Sequence, residues 1–130
     1  NNIKLLNSLK ADGLYISAYN KNLKINYLKG LVNVIGGAHN IKEINIKKQQ
    51  NCSYILLSRL FKTSYPNKKG HLGVVKFNLF TKLVNTRLIP LGGINLNNLK
   101  KLNIVECEAI AVSSLIKRKT QENLKKFRWK

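Results

Sequence analysis

Acid is what this sequence has least of. Against 24 Lys plus Arg stand only five Asp plus Glu, giving a formal charge of +19. The five are Asp12, Glu43, Glu106, Glu108 and Glu122, scattered along 130 residues. Chemistry built on two or three clustered carboxylates has almost no raw material here. That argues against an all-carboxylate Ca²⁺ cage and an inward-facing di-metal bundle. Cysteine is scarce as well. Cys52 and Cys107 are too few and too far apart for a zinc site or a disulfide framework, so both are expected as reduced core thiols. No apolar run approaches the roughly 18 residues that a transmembrane helix needs. The opening NNIKLLNSLK has no apolar h-region, so no secretion leader and a cytoplasmic location are expected. Methionine is absent throughout. No nucleophile elbow, Walker loop or HExxH pattern occurs.

The charge itself invites a polyanion partner, because clustered Lys releases counterions from nucleic acid. Two features weigh against it. Only Arg59, Arg87, Arg118 and Arg128 supply the guanidinium fork that reads bases and phosphates. The Lys residues also run along the whole chain instead of gathering in one stripe. Asn reaches 18, and Lys, Asn and Ile rise together as a source-wide compositional bias would make them.

What is present is a repeating unit. Hydrophobic residues make up 44% of the chain, enough for a packed core. Apolar runs occur at Ala11–Ser17, Leu31–Gly37, Cys52–Ser58, Arg87–Gly93 and Glu108–Ser114. Their starts lie 20, 21, 35 and 21 residues apart. None alternates strictly, which suits strands covered on both faces. Several end in Gly or Ser, where a chain leaves a strand and turns.

The intervals read as helices. Ile3, Leu6 and Leu9 share one face. Asn40 with Glu43 resembles a capping box, followed by Ile41, Ile44 and Lys48 at helical spacing. Val74–Val84 carries an apolar stripe of Val74, Phe77, Leu79, Phe80, Leu83 and Val84. Asn95 can cap a helix bearing Leu96, Leu99 and Leu102. Thr120–Lys130 predicts a final basic helix.

Five strand–helix units predict an α/β fold with a parallel sheet and right-handed crossovers. A doubly wound sheet and part of a (β/α)₈ barrel both fit, and the tight spacing favours the barrel. A complete barrel usually takes about 250 residues. The expected fold is therefore an incomplete TIM-type barrel of about five strands, a C-terminal piece of something longer. Its two unclosed sheet edges predict poor solubility or oligomers.

Parallel strands place all their C-terminal ends on one face, where ligands bind. Gly92-Gly93-Ile94-Asn95 ahead of a helix offers backbone N–H groups to an anion, with Ser114 in reach from the next unit. A tight turn alone would also call for these glycines. Lys62, Thr63, Ser64, Lys68 and Lys69 form a cationic, hydroxyl-rich loop that suits an anionic ligand or simply solvent. His39 is expected as a hydrogen-bonder at a helix start, and His71 has no carboxylate or thiol near it in sequence.

At these residues the chain resembles the thiamine-phosphate synthase and TenI family. ADGLYIS (11–17) resembles that family's ADGVHLG strand. Gly37-Ala38-His39-Asn40 resembles its S-[AC]-H-N, and Leu60-Phe61-Lys62-Thr63 its I-F-P-T loop. Leu91-Gly92-Gly93-Ile94-Asn95 resembles its [AI]-G-G-I strand end, and Ala111-Val112-Ser113-Ser114 its A-V-x-S. Five motifs in the right order cover nearly the whole chain.

The resemblance implies a TIM barrel, of which residues 1–130 are one domain supplying strands four to eight. It implies condensation of hydroxymethylpyrimidine diphosphate with a thiazole phosphate, release of pyrophosphate, and Mg²⁺ as cofactor. By position, Gly92, Gly93 and Ser114 hold the thiazole phosphate, and Thr63 sits in the loop that meets both ligands. The chain departs from the pattern at several sites. The family's metal-binding acids align near Asn1 or Asn2 and near Tyr19 or Asn20. Its pyrophosphate-contacting serine is Gly37. Its loop lysine is Pro66, with Lys68 two positions on as a substitute. Expected partners are small phosphorylated substrates, with no membrane. Two alternatives stay open: a TenI-like or non-catalytic phosphate-ligand binder, and a basic nucleic-acid-associated protein.

Overall fold

The computed structural model describes Leu6, residues 8–63 and residues 70–113. Four parallel strands form one sheet: β1 (Gly13–Ile16), β2 (Asn33–Ala38), β3 (Tyr54–Ser58) and β4 (Arg87–Leu91). Their spatial order is their chain order. Each crossover therefore steps in the same direction, as in a barrel; a doubly wound sheet reverses direction at a switch point. The register runs Gly13↔Asn33, Ile35↔Tyr54 and Tyr54↔Arg87.

β1, β3 and β4 each lie inside an apolar run read from the sequence, and β2 runs one residue past its own. The fifth run is weaker than expected. Among the described residues it contributes one parallel bridge, Leu91↔Ala111. The Ala111 N–H donates to the Pro90 carbonyl at 3.0 Å. N–H and C=O of one strand residue point to the same side. Pro90 has no N–H, so the side of β4 that faces this run is one donor short.

Helix α1 (Ile41–Gln49) connects β2 to β3, and α2 (Gly73–Leu83) connects β3 to β4. The remaining connections are 3₁₀ segments, Leu23–Leu28 and Leu96–Ile104. Asn40 starts α1 as its side chain accepts from the Glu43 N–H at 3.0 Å. Asn95 starts the second 3₁₀ segment, and with Asn98 it completes a capping box. The helix expected over 96–102 thus winds as 3₁₀, not α.

One sheet face packs with the helices. Ile16, Val34, Ile55, Leu57 and Leu88 join Ile44, Phe77 and Phe80 in a single core. The opposite face carries Tyr15, Ile35, Leu56, Ile89 and Leu91, which stay half-buried or exposed. Burial on both faces was expected, and only one face shows it among the described residues. In a closed barrel, layers of side chains fill that second face. Three apolar stripes also prove narrower than read. Leu6 is buried but Leu9 is exposed. On α2, Phe77, Phe80 and the following Val84 are buried, while Leu79 and Leu83 are 51% and 66% exposed. On α1 the cation in the core is Lys47, and Lys48 is exposed. Ile3 and Thr120–Lys130 lie outside the described residues. No helix among the described residues is long and apolar enough to cross a membrane.

Candidate functional site

The C-terminal ends of β3 and β4 bring two sequence motifs together. Past Ser58 the chain keeps pairing with β4. The Leu60 N–H donates to the Leu91 carbonyl at 3.0 Å, and the Phe61 N–H to the Gly92 carbonyl at 3.1 Å. Gly92 and Gly93 both take left-handed backbone, with φ of 92° and 74°. A Cβ on Gly93 would run into the Phe61 carbonyl and come within 2.7 Å of the Lys62 carbonyl oxygen. Gly93 is therefore required by contact with the 61–62 loop as well as by the turn. Thr63 ends the described part of that loop, and its Oγ1 accepts from Arg59 Nη1 at 3.3 Å. Arg59 itself lies over Gly92, where a Cβ would meet its Cγ at 3.1 Å.

The expected anion donors at the start of the 96–104 segment are already committed. The Asn95 N–H donates to Asn98 Oδ1 at 2.9 Å, and the Asn97 N–H to Asn95 Oδ1 at 3.0 Å. Both asparagine amides donate onward to the Gly93 carbonyl, at 3.2 and 2.8 Å. These bonds brace the Gly92–Gly93 turn one step earlier. Lys68 and Ser114 lie outside the described residues.

Gly37 sits at the end of β2. A Cβ there would lie 2.5 Å from the Tyr15 hydroxyl. The phenol thus takes the space that a serine would need, and it carries the hydroxyl from the neighbouring strand. Nothing in the motif signals this exchange, because it joins two strands.

His39 and Glu43 form a pair at the same end of the sheet. His39 Nδ1 lies 2.9 Å from Glu43 Oε2, which also accepts from the His39 N–H at 2.7 Å. Glu43 Oε1 accepts from Asn40 Nδ2 at 3.0 Å. The Tyr19 ring stands 6.2 Å from the imidazole, tilted by 38°. Burial works to raise the Glu43 carboxyl. The His39 backbone N–H, the His39 ring and the Asn40 amide outweigh it and hold the carboxyl below its ordinary 4.5. A carboxylate with a depressed folded pKa stabilises fully above its unfolded value of about 4.3, and that support fades as pH falls through the folded value. Glu43→Gln should therefore flatten the fall in urea midpoint between pH 5 and pH 3. An unchanged acid profile would show that the pair contributes nothing.

The other described acids stand at the opposite end. Asp12 precedes β1. Glu106 pairs with Lys82 at 3.2 Å, and Glu108 with Arg87 at 3.6 Å. Two clefts, of about 320 and 270 Å³, also open on the N-terminal side of the strands, around Lys29 and Cys52 and around Arg87 and Cys107. Both cysteines are free thiols, as expected, and burial pushes the Cys52 thiol up to about 11.

Comparison with known proteins decides the family. The sequence profile described as thiamine monophosphate synthase matches residues 1–116. This chain belongs to the thiamine monophosphate synthase family. A thiamine-phosphate synthase from Prochlorococcus marinus subsp. pastoris is 29% identical over 116 residues, covering 88% of this chain and 33% of that protein. Another, from the SARG strain of Prochlorococcus marinus, is 27% identical over 113 residues, covering 84% and 32%. The chain thus spans about a third of the length of these curated relatives. A solved thiamine phosphate pyrophosphorylase from Pyrococcus furiosus has the same fold, with a TM-score of 0.65 at 16% identity. It matches over 86% of this chain and 55% of its own.

Family membership implies Mg²⁺, and the described residues do not fit it. No group of three His, Cys, Asp or Glu among them could hold a metal ion. Asn20, near the position of one family acid, has its oxygens engaged. Its Oδ1 accepts from the Asn22 N–H at 2.9 Å, and its carbonyl accepts from Lys47 Nζ at 2.6 Å. An ammonium already occupies that corner, and it would repel a dication.

Proposed function

We propose that this chain is the phosphate-gripping part of a thiamine-phosphate-synthase-type barrel. Residues 1–130 form one domain whose strands correspond to strands four to eight. Its ligands are small phosphorylated compounds, a thiazole phosphate and hydroxymethylpyrimidine diphosphate. The thiazole phosphate lies on the Gly92–Gly93 turn, with Ser114 as a further donor. Thr63 meets the ligands from beside that turn, Lys68 is a further cation for them, and Gly37 with the Tyr15 hydroxyl borders the pyrimidine side.

The observation that carries this reading is the contact of Gly93 with the Phe61–Lys62 backbone. It joins two motifs 31 residues apart in sequence into one wall, and a phosphate needs both sides. Backbone N–H groups there hold the anion, and fixed positive charge offsets the charge that develops on a departing pyrophosphate. Titration calorimetry of the full chain with thiazole phosphate is the test. Saturable binding is expected, and its absence would overturn the reading. Turnover of both substrates then decides whether the condensation itself takes place.

One observation favours a second reading, a TenI-like ligand binder without the condensation. Glu43 anchors His39 through Nδ1, which leaves Nε2 directed away from it for proton transfer. Thiazole phosphate binding without pyrophosphate release would select this alternative.

A further inference from the structure

We infer that Arg59 is the phosphoryl-binding cation of this face, and that its grip on an anion needs no divalent metal. The inference deepens the phosphate-site reading above and rests on it.

The backbone of Arg59 is fixed from three directions. Its carbonyl accepts from the Leu72 N–H at 2.8 Å, just ahead of α2. The next residue, Leu60, donates to Leu91 at 3.0 Å and accepts from the Gly73 N–H at 2.9 Å. Arg59 is therefore locked between the end of β4 and the start of α2. Its stem lies over Gly92, so the turn itself sets the direction of the side chain. The guanidinium then reaches Thr63 Oγ1. A phosphoryl group resting on the Gly92–Gly93 turn and meeting Thr63 lies within reach of the guanidinium fork. Charge-assisted, forked contacts of this type are among the strongest that a protein offers a phosphate.

The charge layout agrees. Asp12, Glu106 and Glu108 stand at the far end of the sheet, and the last two are paired there. Glu43, at the near end, is held by His39 and Asn40. Among the described residues, the only carboxylate at this end is thus already engaged, and the other three are elsewhere. Among many cations, nothing in the sequence set Arg59 apart. Its place over Gly92 does.

The test is calorimetry with pyrophosphate on the full chain, in EDTA and again in Mg²⁺. Wild type should bind in EDTA with an affinity within a few-fold of that in Mg²⁺. Arg59→Gln should weaken binding by about tenfold to a hundredfold, the worth of a hydrogen bond to a charged group. Lys100→Gln removes the same charge from an exposed site and should change affinity less than twofold. Arg59→Lys keeps the charge without the fork; it should recover part of the loss, and it also serves if Arg59→Gln fails to fold. Equal affinity in Arg59→Gln and Lys100→Gln would overturn the inference, and so would wild-type binding that vanishes in EDTA. Neither result touches the phosphate-site reading, which falls only if wild type fails to bind thiazole phosphate.

Discussion

Gly93→Ala should cost about 3 kcal/mol of stability and abolish thiazole phosphate binding. Two terms add. A side chain at φ of 74° costs about 1–2 kcal/mol in left-handed backbone. The new methyl also enters the carbonyls of Phe61 and Lys62. Those atoms are backbone and cannot rotate aside. The loop must retreat, and the Phe61–Gly92 and Leu60–Leu91 hydrogen bonds stretch with it. Gly92→Ala is the control. Its φ of 92° is equally unfavourable, but its nearest neighbour is Arg59 Cγ at 3.1 Å, on a flexible chain. It should cost only about 1–2 kcal/mol. Urea titrations of both variants make the comparison. Equal losses would mean that the loop contact does not hold the two motifs together.

The contrast between these glycines shows what a sequence can convey. The Gly-Gly pair after an apolar run marked a turn at a strand end, because few other residues accept that backbone. The strands were legible for a similar reason: Ala11–Ser17, Leu31–Gly37, Cys52–Ser58 and Arg87–Gly93 each enclose or overlap an observed strand, since buried parallel strands demand apolar runs. Asn40 and Asn95 were legible as helix starts because capping is local. What stayed hidden depends on contacts across the fold. Leu79 and Leu83 continue an apolar period, but periodicity does not say which neighbour is there to cover them. Pro90 weakens the fifth strand only because its missing donor faces Ala111. Tyr15 fills the space beside Gly37 from another strand. Arg59 is one cation in 24 until Gly92 is seen beneath it.

The scarcity of acids gains meaning from the same geometry. Three of the described acids cluster at the N-terminal end of the sheet, where two of them pair with Arg87 and Lys82. Among the described residues the opposite end keeps only Glu43, tied to His39 and Asn40. At the corner near Asn20, where a carboxylate would serve a metal, stands the Lys47 ammonium instead. Composition bias alone explains many lysines. It does not explain why one of them is fully buried.

That lysine gives the second large effect. Lys47→Ala should destabilise the chain by about 3–4 kcal/mol, and Lys47→Met by less. The Lys47 side chain is completely buried, and its stem runs beneath Gly36 beside Cys52. Its Nζ donates to Gln50 Oε1 at 2.8 Å and to the Asn20 carbonyl, while Gln50 Nε2 donates to Asn20 and Asn22. Alanine leaves a cavity and an acceptor on buried Gln50 without its donor; methionine keeps the stem and loses only the donor. For a chain of this size, 3 kcal/mol lowers Tm by roughly 10 °C. Burial also pulls the Lys47 ammonium below its ordinary 10.5. The unfolded chain then holds its proton more tightly than the fold does. Stability should therefore rise with pH between the folded value and about 10.4, and Lys47→Met should remove that rise. Cys52 works against it: a thiol raised to about 11 when folded keeps a proton that the unfolded chain releases from about 8.5 upward, so stability falls. The Lys47 slope is therefore read by comparing Cys52→Ala with Cys52→Ala/Lys47→Met. Parallel urea midpoints for the two from pH 7 to pH 10 would show that the ammonium bears no cost of burial.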